Sequence, residues 1–298
     1  MSIAIDSYCL ECMLRRHLEL VRKLGDEAKA MEFARQWMQL ILSFPADTPS
    51  PAFGPDTTEL LHRMYGLDRD RFRQEKLDSN AFVLRQMDTI RSRIRQAEDP
   101  VYAGLQFAIL GNYLDFGALQ GKVSFDALAD MLEKAREITV DPECYDRLCR
   151  ELSQSKSLLY LTDNAGEIGF DRLFAEELQR RWPGLDITFC VRGGIAANDA
   201  TREDAAAVGL PFRVIDNGSN VAGTLVPRLG TEARQALEAS DVILAKGMAN
   251  TETLLGCGYN IYYAFLVKCP RFQKLFDKPL MTPMLVRERD TTARHIVI

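Results

Sequence analysis

The chain has 298 residues, of which 47% are hydrophobic and 27% charged, with a formal net charge of −5 at pH 7. A chain of this length can bury a large core, in one big domain or in two of ordinary size. The 42 acidic and 37 basic residues give no general case for nucleic-acid binding. No apolar run approaches the roughly 20 residues that a membrane-spanning helix needs. We therefore expect neither a nucleic-acid nor a membrane partner, and the sequence sets no oligomeric state.

The seven cysteines are scattered along the chain. Several lie in apolar segments, where a free cysteine packs as a small hydrophobic residue. This usage, and the lack of a signal-peptide core, predict a reducing, cytoplasmic setting. Cys9 and Cys12 have the spacing of metal ligands, but no second Cys or His pair completes a four-ligand site. We expect the pair to pack against a helical neighbour.

Residues 1–150 predict an all-helical N-terminal part. Segments 9–24, 32–42, 67–98 and 101–114 predict helices. The third is charged and has a break at 78–80, and the fourth is apolar on most sides, which predicts a buried helix. Residues 47–55 hold three prolines and a glycine, which predicts a loop. Ser124 and Asp141 have the position of N-caps for two further helices.

Residues 151–298 predict a second, α/β domain. Short apolar runs at 157–161, 186–191, 212–215, 242–245 and 261–267 alternate with helical patterns at 168–178, 199–208, 231–239 and 251–255. Alternation of this kind is typical of a doubly wound, mainly parallel sheet with helices on both faces. We therefore predict such a sheet, joined to the helical N-terminal part.

The stretch from Ser157 to Leu178 gives the clearest indication of a functional site. Its apolar run is typical of a strand buried on both faces, and Asp163 and Asn164 follow that run directly. Glu167 comes one short turn later, where the next helix starts. In open α/β sheets the carboxyl ends of the strands face the ligand-binding crevice.

The other predicted strands also end in polar residues that would meet at the same rim. These residues are Arg192, Asn198 and Asp199 after the second strand, Lys246, Asn250 and Glu252 after the fourth, and Lys268 after the fifth. Carboxylate and amide oxygens are hard ligands that suit Mg²⁺, Mn²⁺ or a related divalent ion. A lysine beside such an ion suits a phosphoryl group, whose charge grows as its bond to oxygen breaks.

Each of these features also has a purely structural interpretation. Asp163 with Asn164, or Asn198 with Asp199, could be helix N-caps. Lys246 and the following glycine could form an ordinary turn after a strand. Their joint position at strand ends favours a site for Asp163, Asn164 and Asp199.

Taken together, these motifs resemble one family. They are Asp163-Asn164-Ala165-Gly166-Glu167, Arg192 through Asn198-Asp199-Ala200-Thr201, Lys246-Gly247-Met248-Ala249-Asn250-Thr251-Glu252, Lys268-Cys269-Pro270, and Gly111-Asn112 through Asp115 to Gly117. In this order they are similar to the metal-dependent damage-control phosphatases, long catalogued as a domain of unknown function. The pair Cys9 and Cys12 resembles the stand-alone archaeal and bacterial branch of that family.

The resemblance implies a hydrolase of phosphorylated metabolites, often sugar phosphates, that uses Mn, Mg, Co or Ni. It implies that Asp163, Asn164 and Asp199 hold the metal. It implies that Lys268 binds phosphate and that Glu167 orients or deprotonates water, with attack by metal-activated water or by a carboxylate such as Asp199. The predicted catalytic residues are Asp199, Glu167 and Asn198, and the predicted substrate contacts are Lys268, Lys246, Asn250, Glu252, Arg192, Asn112 and Asp115.

Two other functions are alternatives to this one. One is an S-adenosylmethionine-dependent methyltransferase, an activity suggested for a relative of this family, although the turn after Asp163 is only weakly similar to a glycine-rich nucleotide loop and lacks its G-x-G. Such an enzyme needs no metal, so sensitivity to chelators separates the two activities. The other is a non-catalytic metabolite-binding protein, which a ligand would stabilise without turnover.

Overall fold

The computed structural model describes residues 3–112, 133–135 and 137–295. The predicted N-cap Ser124 and the predicted substrate contact Asp115 lie outside these residues. Within them, no helix is both long enough and apolar enough to cross a bilayer.

The part of the chain before the sheet is helical, as predicted. Its helices are α1 (Ser7–Val21), α2 (Glu27–Leu42), α3 (Gly54–Tyr65), α4 (Arg73–Arg95), α5 (Pro100–Gly111) and α6 (Pro142–Gln154). Aspartate side chains at the N-caps of α1, α2, α5 and α6 accept hydrogen bonds from first-turn amides. The predicted loop at 47–55 is partly helical, since it contains a 3₁₀ turn at Ser50–Phe53 and the start of α3.

Helix α4 continues through the position where we predicted a break. Ser79 Oγ donates to the Glu75 carbonyl at 2.6 Å within the helix. Asn80 Nδ2 donates to Asp204 at 2.9 Å, and its Oδ1 accepts from Gly166 N at 2.7 Å. The prediction of a break was wrong, because these polar side chains have partners that the local sequence does not reveal.

The predicted sheet is confirmed. Its strands are β1 (Ser157–Leu161), β2 (Asp186–Val191), β3 (Arg213–Asp216), β4 (Val242–Lys246), β5 (Ile261–Leu266) and β6 (Pro283–Arg287). They lie in the order β3-β2-β1-β4-β5-β6, with all neighbours parallel except β6, which is antiparallel to β5. The chain leaves β1 in one direction and returns to β4 on its other side. The gap between β1 and β4 is therefore the switch point at which open sheets bind ligands.

Helices connect the strands on both sides of the sheet. They are α7 (Glu167–Arg181), α8 (Arg202–Ala207), α9 (Thr231–Ala239), α10 (Gly247–Leu254), α11 (Pro270–Phe276) and α12 (Glu288–His295). Helix α10 begins directly after β4, four residues earlier than predicted. Strand β6 was not predicted, because it is a short edge strand that starts at a proline and its apolar run, residues 284–286, is only three residues long.

The hydrophobic core continues across residue 150. On one face of the sheet, Val83 of α4, Leu105 of α5 and Phe170 of α7 share one cluster with Tyr160 and Phe189 of the strands. The opposite face is covered by a second cluster that includes residues of α9 and α11. Residues of α1, α2 and α3 form their own cluster. In this fold α4 and α5 complete one layer of the sheet domain, which brings the end of α5 close to the strand ends.

A pH-dependent contribution to stability is expected from His17. Its ring packs against Phe33 and Trp37, with centroids 6.1 and 5.7 Å apart. Burial, aided by nearby Arg71 and Arg16, lowers its pKa from 6.5 to about 4. The folded state then binds the proton more weakly than the unfolded chain, so stability present above pH 6.5 is lost as the pH falls toward 4. Between pH 7 and pH 5 the free energy of unfolding should fall by about 1–2 kcal/mol more in the wild type than in His17→Gln, as measured by urea unfolding at the two pH values. An equal loss in both proteins would contradict this assignment.

Candidate active site

Asp163 and Asn164 lie at the carboxyl end of β1, and neither side chain caps the following helix. The N-cap of α7 is Gly166, which has a φ of +75° and no side-chain cap. A Cβ atom at Gly166 would lie 2.8 Å from Ser79 Cβ, so α4 packs directly on this turn. The N-cap interpretation of Asp163 and Asn164 is therefore wrong, and both side chains remain available to a site at the crevice.

A second segment brings Asp199 to the same place. Residues Asn164 and Asp199 form an isolated antiparallel bridge. On either side of it, Ala200 N donates to the Asp163 carbonyl at 2.8 Å, and Ala165 N donates to the Asn198 carbonyl at 2.9 Å. The three residues predicted to hold a metal thus lie together on two paired backbone segments.

Arg192 is buried beneath Asp199 and holds it in position. Its Nε donates to Asp199 Oδ2 at 2.5 Å, and its Nη2 donates to the Thr162 carbonyl at 3.0 Å. Only 1% of Arg192 is exposed. These contacts anchor a carboxylate at the rim. Arg192 Nη1 is buried and has no hydrogen-bond partner among the described residues, so the predicted contact of Arg192 with substrate stays a prediction.

Two asparagine side chains join the carboxylates of Asp163 and Glu167. The Nδ2 of Asn164 lies 2.8 Å from both Asp163 Oδ2 and Glu167 Oε2. The Nδ2 of Asn112, from the end of α5, lies 2.9 and 3.0 Å from the same two oxygens. Because amide nitrogens donate and carboxylates accept, this arrangement fixes the orientation of both amides.

Lys246, the last residue of β4, lies beneath this cluster and is completely buried. Its Nζ donates to Glu167 Oε1 at 2.7 Å, Asp171 Oδ1 at 2.6 Å and the Ala108 carbonyl at 2.7 Å. Burial alone would lower its pKa, but the adjacent carboxylates of Asp171 and Glu167 outweigh burial and raise it. With three acceptors for its three N–H groups, Lys246 has no donor left for a substrate, contrary to our prediction.

Glu167 has a positioning role in this arrangement. It is completely buried, one of its oxygens accepts from Lys246, and the other accepts from both asparagine amides. Our prediction that it orients or deprotonates water does not fit these contacts. What Glu167 does is fix the amide groups that surround Asp163.

Asn250 and Glu252 of α10 also make internal contacts. Asn250 Nδ2 donates to the carbonyls of Thr162 and Lys246 at 2.9 and 2.6 Å, and its Oδ1 accepts from Thr224 Oγ1 at 2.8 Å. Glu252 accepts a hydrogen bond from the Ser50 hydroxyl. Both residues therefore tie α10 to its neighbours, and these contacts do not favour the predicted role in binding substrate.

The carboxyl groups of Asp163, Glu167 and Asp199 lie close enough to act on one another. Burial, with the neighbouring carboxylates Glu167 and Asp199, raises the pKa of Asp163 well above its usual range, although Lys268 and Arg192 oppose this. A divalent cation would relieve the repulsion. Among the described residues, no group of three or more His, Cys, Asp or Glu side chains is arranged to hold a metal. The predicted ligand set fits a cation only if amide oxygens complete it, which is compatible with a hard ion.

The comparisons with known proteins agree with the motifs. Residues 5–282 match the family model described as the damage-control phosphatase ARMT1-like domain. The chain belongs to this family. It is 30% identical over 256 residues to a damage-control phosphatase from Archaeoglobus fulgidus, and the aligned region covers 84% of this chain and 87% of that protein. It is 28% identical over 279 residues to one from Pyrococcus horikoshii, covering 91% and 93% of the two chains.

A solved structure supports the same assignment. The crystal structure of a DUF89 family protein from Pyrococcus horikoshii matches with a TM-score of 0.81 and 25% identity, covering 96% of this chain and 99% of that chain. The resemblance predicted from the motifs is thus confirmed for this ARMT1-like chain.

Sequence reasoning missed two residues of the buried network in this family member. Asp171 Oδ1 accepts from Tyr160 Oη at 2.7 Å as well as from Lys246. Burial raises the pKa of Asp171 to about 7, against the opposing effect of Lys246. A signal was available, since Glu167 and Asp171 are four residues apart and so share one helix face, in a segment otherwise rich in apolar residues.

Gly247 is required by its contact with Asp163. Its φ is +78°, and a Cβ atom there would lie 2.0 Å from Asp163 Oδ2. We expect Gly247→Ala to lower the free energy of unfolding by about 3 kcal/mol or more, because strain and steric overlap add. Gly258, with a φ of +85° and open space around its Cβ position, is the matched control. Gly258→Ala should cost only about 1 kcal/mol in the same urea titration, and equal costs would contradict the steric argument.

Proposed function

We propose that this protein is a divalent-metal-dependent phosphatase that hydrolyses phosphate esters of small metabolites such as sugar phosphates. Membership of the ARMT1-like family and the names of its two archaeal relatives support the reaction class. The observation that supports the metal dependence is the crowding of Asp163, Glu167 and Asp199, where burial and the two neighbouring carboxylates raise the pKa of Asp163.

In this proposal Asp163, Asn164 and Asp199 hold the cation at the switch point between β1 and β4. When bound, the ion supplies Lewis-acid polarisation of a phosphoryl oxygen. Arg192 keeps Asp199 aimed at the rim through its 2.5 Å hydrogen bond. The pairing of Lys246 with Glu167 keeps a charged carboxylate behind the asparagine amides.

Lys268 is the residue proposed to bind phosphate. It follows β5 at the same end of the sheet, it is half-buried, and its charge acts on Asp163. A lysine here adds a point charge to that of the cation, so a phosphoryl group between them is neutralised from two sides. The leaving group then faces the helical part, because Asn112 at the end of α5 contacts Asp163.

The test is phosphate release by chelator-treated protein with Mg²⁺, Mn²⁺, Co²⁺ or Ni²⁺ added back. Substrates are a panel of sugar phosphates and a generic aryl phosphate. We expect no release without metal and turnover when at least one ion is restored. No release with any of the ions, from folded protein, would exclude the proposal. Equal turnover in chelator-treated protein with and without added metal would exclude the metal requirement.

A lysine variant tests the phosphate contact in the same assay. Lys268→Ala should lower kcat/KM by about 10- to 100-fold, because a hydrogen bond to a charged group contributes about 1.5–3 kcal/mol. Lys274, exposed on α11, provides the control variant Lys274→Ala, which should stay close to wild type. Equal activity of the two variants would remove Lys268 from the site.

A further inference from the structure

We propose that Asn112 supplies a further oxygen ligand to the cation, in a position that Glu167 fixes. This inference rests on the proposed metal dependence and adds a residue that our predicted metal set did not contain. Asn112 belongs to α5, 51 positions before Asp163 in the chain. The helical part of the protein would thereby take a direct share in binding the ion.

The orientation of the Asn112 side chain is unambiguous. Its Nδ2 lies 2.9 Å from Asp163 Oδ2 and 3.0 Å from Glu167 Oε2. The flipped amide would place an oxygen against Glu167 Oε2, and the ion pair with Lys246 leaves that carboxylate no proton to share. The hydrogen bonds therefore direct Oδ1 away from both carboxylates.

Asn112 Oδ1 is a buried acceptor that receives no hydrogen bond from the described residues. Only 1% of the residue is exposed, and this oxygen has no hydrogen-bond donor in the structure of the described residues. Buried polar atoms almost always have a partner, so an orphaned acceptor at a site needs an explanation. The cation proposed to bind at Asp163, Asn164 and Asp199 would provide one.

Distance permits a shared ion. The oxygen and nitrogen of a planar amide are about 2.3 Å apart, so Asn112 Oδ1 lies within about 5 Å of Asp163 Oδ2. Oxygens that bind one divalent ion at about 2.0–2.6 Å are at most about 5 Å from each other. The separation of Asn112 Oδ1 and Asp163 Oδ2 is therefore compatible with a shared ion.

Glu167 acts here as a positioning residue. Its Oε2 accepts hydrogen bonds from the amide nitrogens of Asn112 and Asn164, and its Oε1 accepts one from Lys246 Nζ at 2.7 Å. Both amide nitrogens point toward this buried carboxylate, so both amide oxygens point elsewhere. A single ion pair beneath the site can in this way orient two neutral ligands.

Mn²⁺ binding to the full chain, measured by calorimetry without substrate, tests the inference. We expect Asn112→Ala to raise the Kd for Mn²⁺ at least about tenfold, since loss of outer-shell partners alone lowers metal affinity 10- to 100-fold. The control is Asn217→Ala, which removes a buried asparagine whose Oδ1 accepts hydrogen bonds from Gly193 N and Ser219 N and whose Nδ2 donates to the Gly223 carbonyl. An unchanged Kd in Asn112→Ala would overturn the inference.

A crystal structure of wild-type protein with Mn²⁺, located by its anomalous signal, separates a ligand from a hydrogen-bonding neighbour and does not depend on the variant folding. An Asn112 Oδ1–Mn distance of about 2.0–2.4 Å would support the inference. A distance beyond about 3 Å, with Mn²⁺-restored phosphate release intact, would overturn it and leave the proposed function standing. Failure of the wild-type protein to bind any of Mg²⁺, Mn²⁺, Co²⁺ and Ni²⁺ would overturn both.

Discussion

Asp163→Asn should reduce metal-restored phosphate release by more than about 100-fold, because loss of second-shell partners of a metal site alone costs 10- to 100-fold. The substitution keeps the shape of the side chain and an acceptor for Asn112 and Asn164, but it removes the charge proposed to bind the cation. Initial rates with the best metal and substrate, measured as kcat/KM, provide the test.

The same variant should gain stability in the absence of metal. Burial and two neighbouring carboxylates disfavour the charged form of Asp163 in the folded protein. Removing that charge should therefore raise the free energy of unfolding of chelator-treated protein, by about 0.5–2 kcal/mol. A loss of activity together with a gain in stability distinguishes a functional carboxylate from a structural one.

The control for Asp163→Asn is Asp186→Asn, an exposed carboxylate at the start of β2, at the opposite end of the sheet. It should change neither the rate nor the stability measurably. Activity of Asp163→Asn within threefold of wild type would show that the site lies elsewhere.

Lys246→Met is the substitution from which we expect the largest loss of stability. Methionine has a similar length, but it would leave Glu167 and Asp171 buried without their cation. Removing one partner of a buried ion pair typically costs about 3–5 kcal/mol. Urea unfolding of wild type and variant at pH 7.5 measures the difference directly.

Two further variants separate charge from packing at Lys246. Lys246→Met combined with Asp171→Asn leaves one fewer unpaired carboxylate, so it should recover part of the lost stability. Arg213→Met breaks the exposed ion pair with Glu232 and should cost less than about 1 kcal/mol. If Lys246→Met costs as little as Arg213→Met, the buried network does not support the site as described.

The sequence alone was sufficient to predict the five parallel strands of the sheet and their positions in the chain. Short apolar runs that alternate with helical patterns have few possible arrangements, because parallel strands need crossover helices and these pack on both faces. For the same reason the strand ends could be placed together before the structure was known. Asp163, Asn164 and Asp199 do lie together, as this argument required.

The roles of Lys246, Glu167 and Asn112 were decided by tertiary structure. Lys246 ends β4, and its side chain lies on the same face of the sheet as that of Leu244, two residues earlier. The local sequence does not reveal that α5 covers this face and places the Ala108 carbonyl 2.7 Å from the ammonium group. At an open rim Lys246 could bind an anionic ligand. Because α5 covers it, Lys246 is instead the buried counter-ion of Glu167 and Asp171. The same helix brings Asn112 to Asp163, because packing joins segments that are far apart in the chain.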